Sequence, residues 1–350
     1  MANPGVDRDE LARTYQIWLA TGKNESATAL RIGKSRAGIH NRLLRCRELG
    51  IDKEVERGQL LDFPEFPADD VPAEEIIQFA RKRNRQRKKH ARFRKWFPVK
   101  INMDGPVGIS FFGDPHVDDN GCDWDRLYEH CEIHRNTPGL FGINVGDTTN
   151  NWVGRLGRLF AEQDTSQTTA RKMAKWLLAD SGVTWACWVL GNHDVWNEGD
   201  AILKGMNAGK VPMEDWQARI SFRLSNGREC RVWTAHDFPG SSHWNSLHGP
   251  QKAAHKKAWA HIYACGHKHN WAMHQEESGS RDFVYWLARA KGYKAVDPHA
   301  DHGLHDQQED AGEAITAIIN PDAKTETAFI QCFADMEAAA DYLKVLRRKK

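Results

Sequence analysis

From residue 107 onward the chain alternates short apolar runs with amphipathic stretches, and the pattern continues to its C-terminal end. Apolar runs bounded by Gly, Pro, Asn and Asp predict strands at 107–113, 140–145, 183–190, 220–224, 230–235 and 261–265. Further runs predict strands at 283–288, 314–319 and 327–333. Apolar positions three and four apart predict helices near 124–134, 168–179, 250–259 and 335–347. Strands alternating with helices argue for an α/β fold with its active residues on loops at strand ends. Ahead of this region the pattern changes twice. Residues 8–50 carry helical periodicities broken by a Gly-containing turn, and residues 51–100 are punctuated by Pro before becoming densely charged. Three parts are therefore expected: a small all-α domain over 1–55, a Pro-containing and then strongly basic linker over 56–103, and the α/β domain over 104–350.

The residues best suited to chemistry fall just after the predicted strands. FFGDPH places Asp114 and His116 two positions apart, and such side chains share one face of an extended segment. INVGDTTNN places Asp147 behind a Gly that permits a tight exit. VLGNHD supplies Asn192, His193 and Asp194, VWTAHD supplies His236, and YACGHKHN supplies His267 and His269, again two apart. Any one of these segments is more often an ordinary turn than a ligand. The ordered set, each member after a strand, is hard to obtain by accident. His243 and His248 follow His236 closely; His236 is preferred for its strand-end position, and the other two face substrate or lie on a surface loop. A carboxylate can bridge two cations, imidazole suits Mn, Fe, Ni or Zn, and an amide oxygen is a neutral hard ligand. Two ions about 3.5–4 Å apart can clamp a phosphate and activate water near neutral pH.

The ordered set D-x-H, G-D, G-N-H-D, a later His and G-H-x-H resembles the calcineurin-like metallophosphoesterase superfamily over residues 107–333. The resemblance implies a double-β-sandwich core flanked by helices, with a dinuclear centre on the loops. It implies that Asp114, His116 and His269 hold one divalent ion, that Asp147 bridges, and that Asn192, His236 and His267 hold the other. His193 would protonate the leaving oxygen, with Asp194 as its orienter. Manganese is the first choice of metal, and iron, nickel or zinc would also be accommodated. The chain departs from the superfamily where G-D-x-x-D ends in Asn150 instead of Asp. The Arg that follows this segment in the superfamily's Ser/Thr protein phosphatases is absent, and GNHD stands where they usually have GNHE. The absent Arg and the GNHD lean toward the phosphodiesterase and nuclease branches. Three His at spacing three, His299, His302 and His305, sit in a long polar segment that is either a substrate-binding loop or merely solvated.

SATALRIGKSRAGIHNRLLRCREL has the signature of a helix-turn-helix, with Ala29 at the crossing, Gly33 at the turn, Ile39 and Leu43 as anchors, and Ile32 and Leu30 packing beneath. An earlier helix over 10–20 supplies Leu11, Tyr15 and Trp18. The second helix of the motif is expected to present Lys34, Ser35, Arg36, His40, Arg42 and Arg45 outward, for base edges and phosphates. The segment resembles the helix-turn-helix modules of bacterial and phage regulators. A three-helix bundle used for protein contacts or as a spacer has the same pattern. Ten Lys and Arg between Arg81 and Lys95, among them Arg85, Lys88 and Lys89, could neutralise many phosphates. The same run also fits a solvated linker helix or a membrane-surface helix.

Charge sharpens this division. Residues 1–100 hold 22 Lys and Arg against 14 Asp and Glu, a net of +8, whereas the remainder holds 27 against 33, a net of −6. A basic arm on an acidic body places any polyanion on the arm. Seven scattered cysteines without a CxxC pair fit reduced thiols, and the N-terminus lacks a secretory pattern, so a cytoplasmic protein of a bacterial or phage-infected cell without membrane association is expected. The leading reading is a DNA-associated phosphodiesterase or nuclease. The alternatives are a phosphomonoesterase or small-molecule phosphodiesterase, and a non-enzymatic DNA-binding protein with an inactive metal fold.

Overall fold

The computed structural model describes residues 6–60, 70–207, 210–256, 259–279, 283–295 and 311–348. The segment holding His299, His302 and His305 lies outside the described residues. The chain divides into two compact units, Met1–Lys82 and Arg83–Lys350.

The first unit contains α1 (Arg8–Ala20), α2 (Glu25–Ile32), α3 (Arg36–Glu48) and α4 (Ile51–Leu60). Leu11, Tyr15, Ala29, Ile39, Leu43, Cys46 and Ile51 are buried in a shared core, with Trp18, Ile32 and Val55 packed against it. Asn24 caps α2 by accepting from the N–H groups of Ser26 and Ala27, and Gly33 ends it in the left-handed conformation. The Ser35 hydroxyl then accepts from the Gly38 N–H and starts α3. The expected turn at Gly33 is therefore present, but two side chains differ from expectation. Leu30 is 88% exposed instead of packing beneath, because Ala29 occupies the inward face of α2. Arg42 turns inward, its guanidinium donating to Glu10 at 2.6 Å and to the Thr14 hydroxyl at 3.3 Å on α1. The expected boundary at residue 55 falls inside α4, where the Tyr15 hydroxyl donates to Glu56 at 2.8 Å and Arg8 pairs with Glu54. The basic run belongs to a helix, α5 (Ala73–Phe93), that has no buried residue.

The second unit is built on two six-stranded mixed sheets. One runs in the order β12-β11-β2-β3-β4-β5 and comprises β2 (Val107–Phe112), β3 (Leu140–Asn144), β4 (Trp185–Leu190), β5 (Met213–Asp215), β11 (Ala314–Ile319) and β12 (Ile330–Phe333). The other runs β1-β6-β7-β8-β10-β9 and comprises β1 (Phe97–Lys100), β6 (Gln217–Arg223), β7 (Glu229–Ala235), β8 (Ile262–Cys265), β9 (Ala272–Ser278) and β10 (Phe283–Arg289). Ile109, Phe111, Ile143, Val189 and Ile315 of the first sheet share one buried core with Ile220, Val232, Ile262 and Ala264 of the second. Every residue of β2 and β11 is buried, which is why these strands read as unbroken apolar runs and do not alternate. Among the described residues the unit also holds helices α6 (Trp124–Asn136), α7 (Gln167–Lys175), α8 (Asn192–Val195), α9 (Gly199–Asn207) and α10 (His248–Lys256) and the helix Met336–Arg348. This α/β arrangement of two sheets is compatible with the sandwich core the motifs led us to expect. The strand expected at 327–333 is shorter than that, because Glu326–Phe329 forms a helical turn first.

Candidate metal centre

Strands β2, β3 and β4 run parallel, as do β7 and β8, so their C-terminal ends carry the motif loops to one place. Main-chain bonds lock these loops together. The His116 N–H donates to the Asp147 carbonyl at 3.0 Å, Val117 to Thr148 at 2.9 Å, and Gly266 to His236 at 3.0 Å. His116, Asp147, His267 and His269 all adopt left-handed backbone, with φ of 40°, 50°, 73° and 49°. Non-glycine residues rarely do so, and such strain concentrates where a geometry is imposed for function. Gly146 and Gly191 are required by crowding. A Cβ at Gly191 would meet the Asp147 carboxylate, and one at Gly146 would meet the His236 ring.

Among the described residues two groups of potential ligands result, His116 with Asp147 and His193, and Asp147 with His236 and His267. Asp147 belongs to both. Its Oδ2 lies 3.2 Å from His236 Nε2 and 3.9 Å from His193 Nε2. Asp114 joins them, with Oδ1 3.4 Å from His236 Nδ1 and Oδ2 accepting from the His267 N–H and lying 3.9 Å from His269 Nε2. The Asn192 side-chain oxygen stands 3.0 Å from His236 Nε2, and the His116 and His269 rings are 5.3 Å apart. The structure thus brings Asp114, His116, Asp147, Asn192, His193, His236, His267 and His269 into one cluster. His243 and His248 are in neither ligand group among the described residues.

The electrostatics of this cluster call for cations. Asp114, Asp147 and Asp194 are 0%, 2% and 1% exposed. Burial pushes the Asp114 carboxyl up to about 8 despite the pull of His236, and burial with the nearby Asp147 charge pushes Asp194 up to about 7. Asp147 goes the other way: burial opposes ionisation, but the hydrogen bond and charge of His236, then His193 and His116, hold it well below the usual range. Burial pulls His236 down, yet Asp147 and Asp114 outweigh it and raise the imidazole to about 9. Burial holds His116 well below its usual value. Among the described residues, Asp114 Oδ1 and His116 Nδ1 are buried without a hydrogen-bond partner. A buried acceptor of either kind is costly unless something satisfies it, and this donor set of carboxylate, imidazole and amide oxygen fits divalent cations.

Asp194 bonds main-chain groups of two loops. Its carboxylate accepts from the Thr148 N–H at 2.8 Å and the Gly191 N–H at 2.9 Å, so it ties two of the loops together. The Nδ1 of His193 is instead held by the Asn150 carbonyl oxygen. Asn150 itself, which stands where an Asp was expected, spends its side chain on Asp119. Sequence reading missed Arg289, which is fully buried and donates to the carbonyls of Ser246 and Gly266 and to Asp237. It anchors both histidine loops of the second sheet. Its signal was a lone charge closing the apolar run FVYWLAR. Also missed were Trp152 and Trp196, whose rings lie 5.2 and 4.3 Å from that of His193, and Trp216, 5.4 Å from His236.

Most of the nucleic-acid candidates of the first unit are engaged locally. Arg36 and His40 pair with Glu25 at 3.4 and 2.9 Å, and Arg45 pairs with Glu48 at 2.8 Å. Lys34, Arg85, Lys88 and Lys89 are exposed and make no ion pair among the described residues.

No family model and no curated protein matches the sequence. Among solved structures, the NAD nucleotidase NadN of Haemophilus influenzae is similar at 8% identity and a TM-score of 0.35, covering 65% of this chain and 49% of its own. The chain thus spans about half the length of that nucleotidase. GAP50, the anchor in the inner membrane complex of Plasmodium, is similar at 13% identity and a TM-score of 0.33, covering 62% of this chain and 82% of its own. Among the described residues no helix is long and apolar enough to cross a membrane.

Proposed function

We propose that this chain is a metal-dependent phosphoesterase acting on phosphodiesters of nucleic acid. The observation that carries the reading is Asp147, one carboxylate shared by two imidazole groups on loops that converge from both sheets. Asp114, His116 and His269 would hold one divalent cation, Asn192, His236 and His267 the other, with Asp147 between them. Bound there, two cations supply charge stabilisation for a phosphoryl group and activate water for in-line attack. The protein's own contribution to bond cleavage is His193. A carbonyl only accepts, so the Asn150 oxygen fixes the hydrogen on Nδ1, and the imidazolium then presents its second proton at Nε2 to the leaving oxygen. Arg289 and Asp194 keep the loops in register while this happens.

Delivery to nucleic acid rests on the basic arm. The exposed helix α5 carries Arg85, Lys88 and Lys89, the turn before α3 offers Lys34, and α3 offers Arg36, His40 and Arg45. The ion pairs of Arg36, His40 and Arg45 to carboxylates are exposed and weak, so a phosphate can displace the carboxylate. Arg42, committed to α1, is left out of this surface.

The test is hydrolysis of bis-p-nitrophenyl phosphate, p-nitrophenyl phosphate and end-labelled single- and double-stranded DNA with Mn, by the wild type and Asp147→Ala. Faster hydrolysis of the diester than the monoester, with DNA cleavage lost in Asp147→Ala, is the expected result. Hydrolysis of the p-nitrophenyl esters alone would move the substrate to a small ester, and hydrolysis of nothing would remove the enzyme reading.

A further inference from the structure

Three indole rings lie against two imidazoles of the cluster, those of His193 and His236. Trp152 meets His193 edge-on, Trp196 lies tilted against the same His193 ring, and Trp216 meets His236 edge-on. The core tryptophan Trp188 is fully buried, whereas Trp152 and Trp196 are part-exposed and Trp216 is 42% exposed. Hydrogen bonds hold each of the three tryptophans. The Trp152 Nε1–H donates to Gln163 at 3.1 Å, the Trp196 carbonyl accepts from the Asn151 side chain, and Trp216 bonds through its main chain to both Leu190 and His236. Trp216 also holds a left-handed backbone, with φ of 66°. That conformation is an outlier for a bulky residue, and a glycine would adopt it without strain. A large ring kept at a strained, half-exposed position beside a candidate ligand points to use by something outside the chain. On the adjoining loop, tied to the His267–His269 turn by the Asn270–Ser246 and Lys268–Gly240 bonds, Trp244 is 97% exposed.

We propose that Trp152 and Trp196 on the His193 side, and Trp216 on the His236 side, form a nucleobase-stacking platform, so that the preferred ester is one joining two base-bearing nucleosides. The inference rests on the phosphoesterase reading and deepens it by naming the substrate's flanks. Every nucleobase offers a flat π face, so indole rings bind bases with little sequence preference, which suits a site that cleaves between them. Rings on both ligand groups place one base on each side of the phosphate. His193, the proton donor, faces the leaving nucleoside, so Trp152 and Trp196 take the base of that nucleoside.

The experiment compares thymidylyl-thymidine with its two singly abasic analogues, in which a base-free deoxyribose replaces one nucleoside. Turnover is measured with Mn, and equilibrium binding is measured with the hydrolysis-resistant phosphorothioates of the same three compounds. Wild type should favour the base-bearing compound by about tenfold in kcat/KM and in binding. Trp152→Leu and Trp196→Leu should collapse the preference for a base on the leaving side, and Trp216→Leu that on the other side. Trp→Phe at each position should restore part of it. Ratios are read within each variant, so a general loss of activity cancels. Equal treatment of base-bearing and abasic compounds by the wild type overturns the platform while leaving the phosphoesterase standing. A tryptophan-dependent binding preference without any turnover supports the platform and removes the enzymatic reading. Neither turnover nor preference overturns both. An oligothymidylate measured alongside separates the sources of the base: a lower KM than the dinucleotide assigns the platform to single strands, and an equal KM assigns it to free nucleotide esters, each supporting a base-stacking site.

Discussion

His193 Nδ1 is hydrogen-bonded to the main-chain carbonyl oxygen of Asn150, three residues beyond Asp147. The carbonyl can only accept, so the bond sets the imidazole's tautomer and leaves Nε2 turned toward the shared carboxylate at 3.9 Å. His193→Ala should therefore keep its metal and lose about 10²- to 10⁴-fold in kcat. Asn150→Ala, which retains the main-chain acceptor, should lose far less. Steady-state kinetics with metal analysis of both proteins checks the pair, and full turnover in His193→Ala would remove the acid role.

Crowding at Gly191 makes a second prediction. A methyl group there would press on the Asp147 carboxylate and the His236 ring. Gly191→Ala should fold and lose about 10- to 100-fold in metal affinity, the range seen when the surroundings of a ligand are disturbed. Calorimetric titration with Mn reads this directly.

Acid should destabilise the second unit through helix α6. Burial pulls His130 down to about 3, helped by Arg126 and His134, and burial alone pulls His134 to about 3. Both stay neutral in the fold, whereas the unfolded chain takes up these protons below about 6.5. Their stabilisation is thus complete above pH 6.5 and declines as pH falls toward 3, by on the order of 2 kcal/mol per histidine at pH 5. His134→Phe, beside Phe112, should flatten the fall by about 1.4 kcal/mol per pH unit across that window. Urea unfolding from pH 7 to pH 4 measures the slope, and an unchanged slope would show that His134 titrates normally.

The exposed basic helix predicts a salt effect. Replacing Arg85, Arg87, Lys88 and Lys89 with Gln should make the slope of log K against log salt for DNA shallower by about 3. Fluorescence anisotropy with labelled DNA measures it, and an unchanged slope would take α5 out of the contact.

Sequence alone revealed the motif loops because each is local: a strand pattern ends, and the ligands follow within four residues. It did not reveal what tertiary folding brings to them. Arg289 acts on Gly266 and Asp237, and Trp216 reaches His236 only when β6 pairs with β7. The unread strands fail for specific reasons. AMHQEES in β9 is a polar edge strand, β5 is three residues long, and FPVK in β1 is masked by the basic run and carries a Pro that edge strands tolerate. In α2 and α3 periodicity found the core at Ala29, Ile39 and Leu43, but could not tell that Leu30 would face solvent or that Arg42 would find Glu10.

The loops that carry Asp114 to His269 come from strands of both sheets, so no single strand and its loop contain the centre. Cations bound across it would act as a clasp: their affinity would count toward keeping the two sheets closed on one another, so that opening the sheets and releasing the metal would be one event seen from two sides.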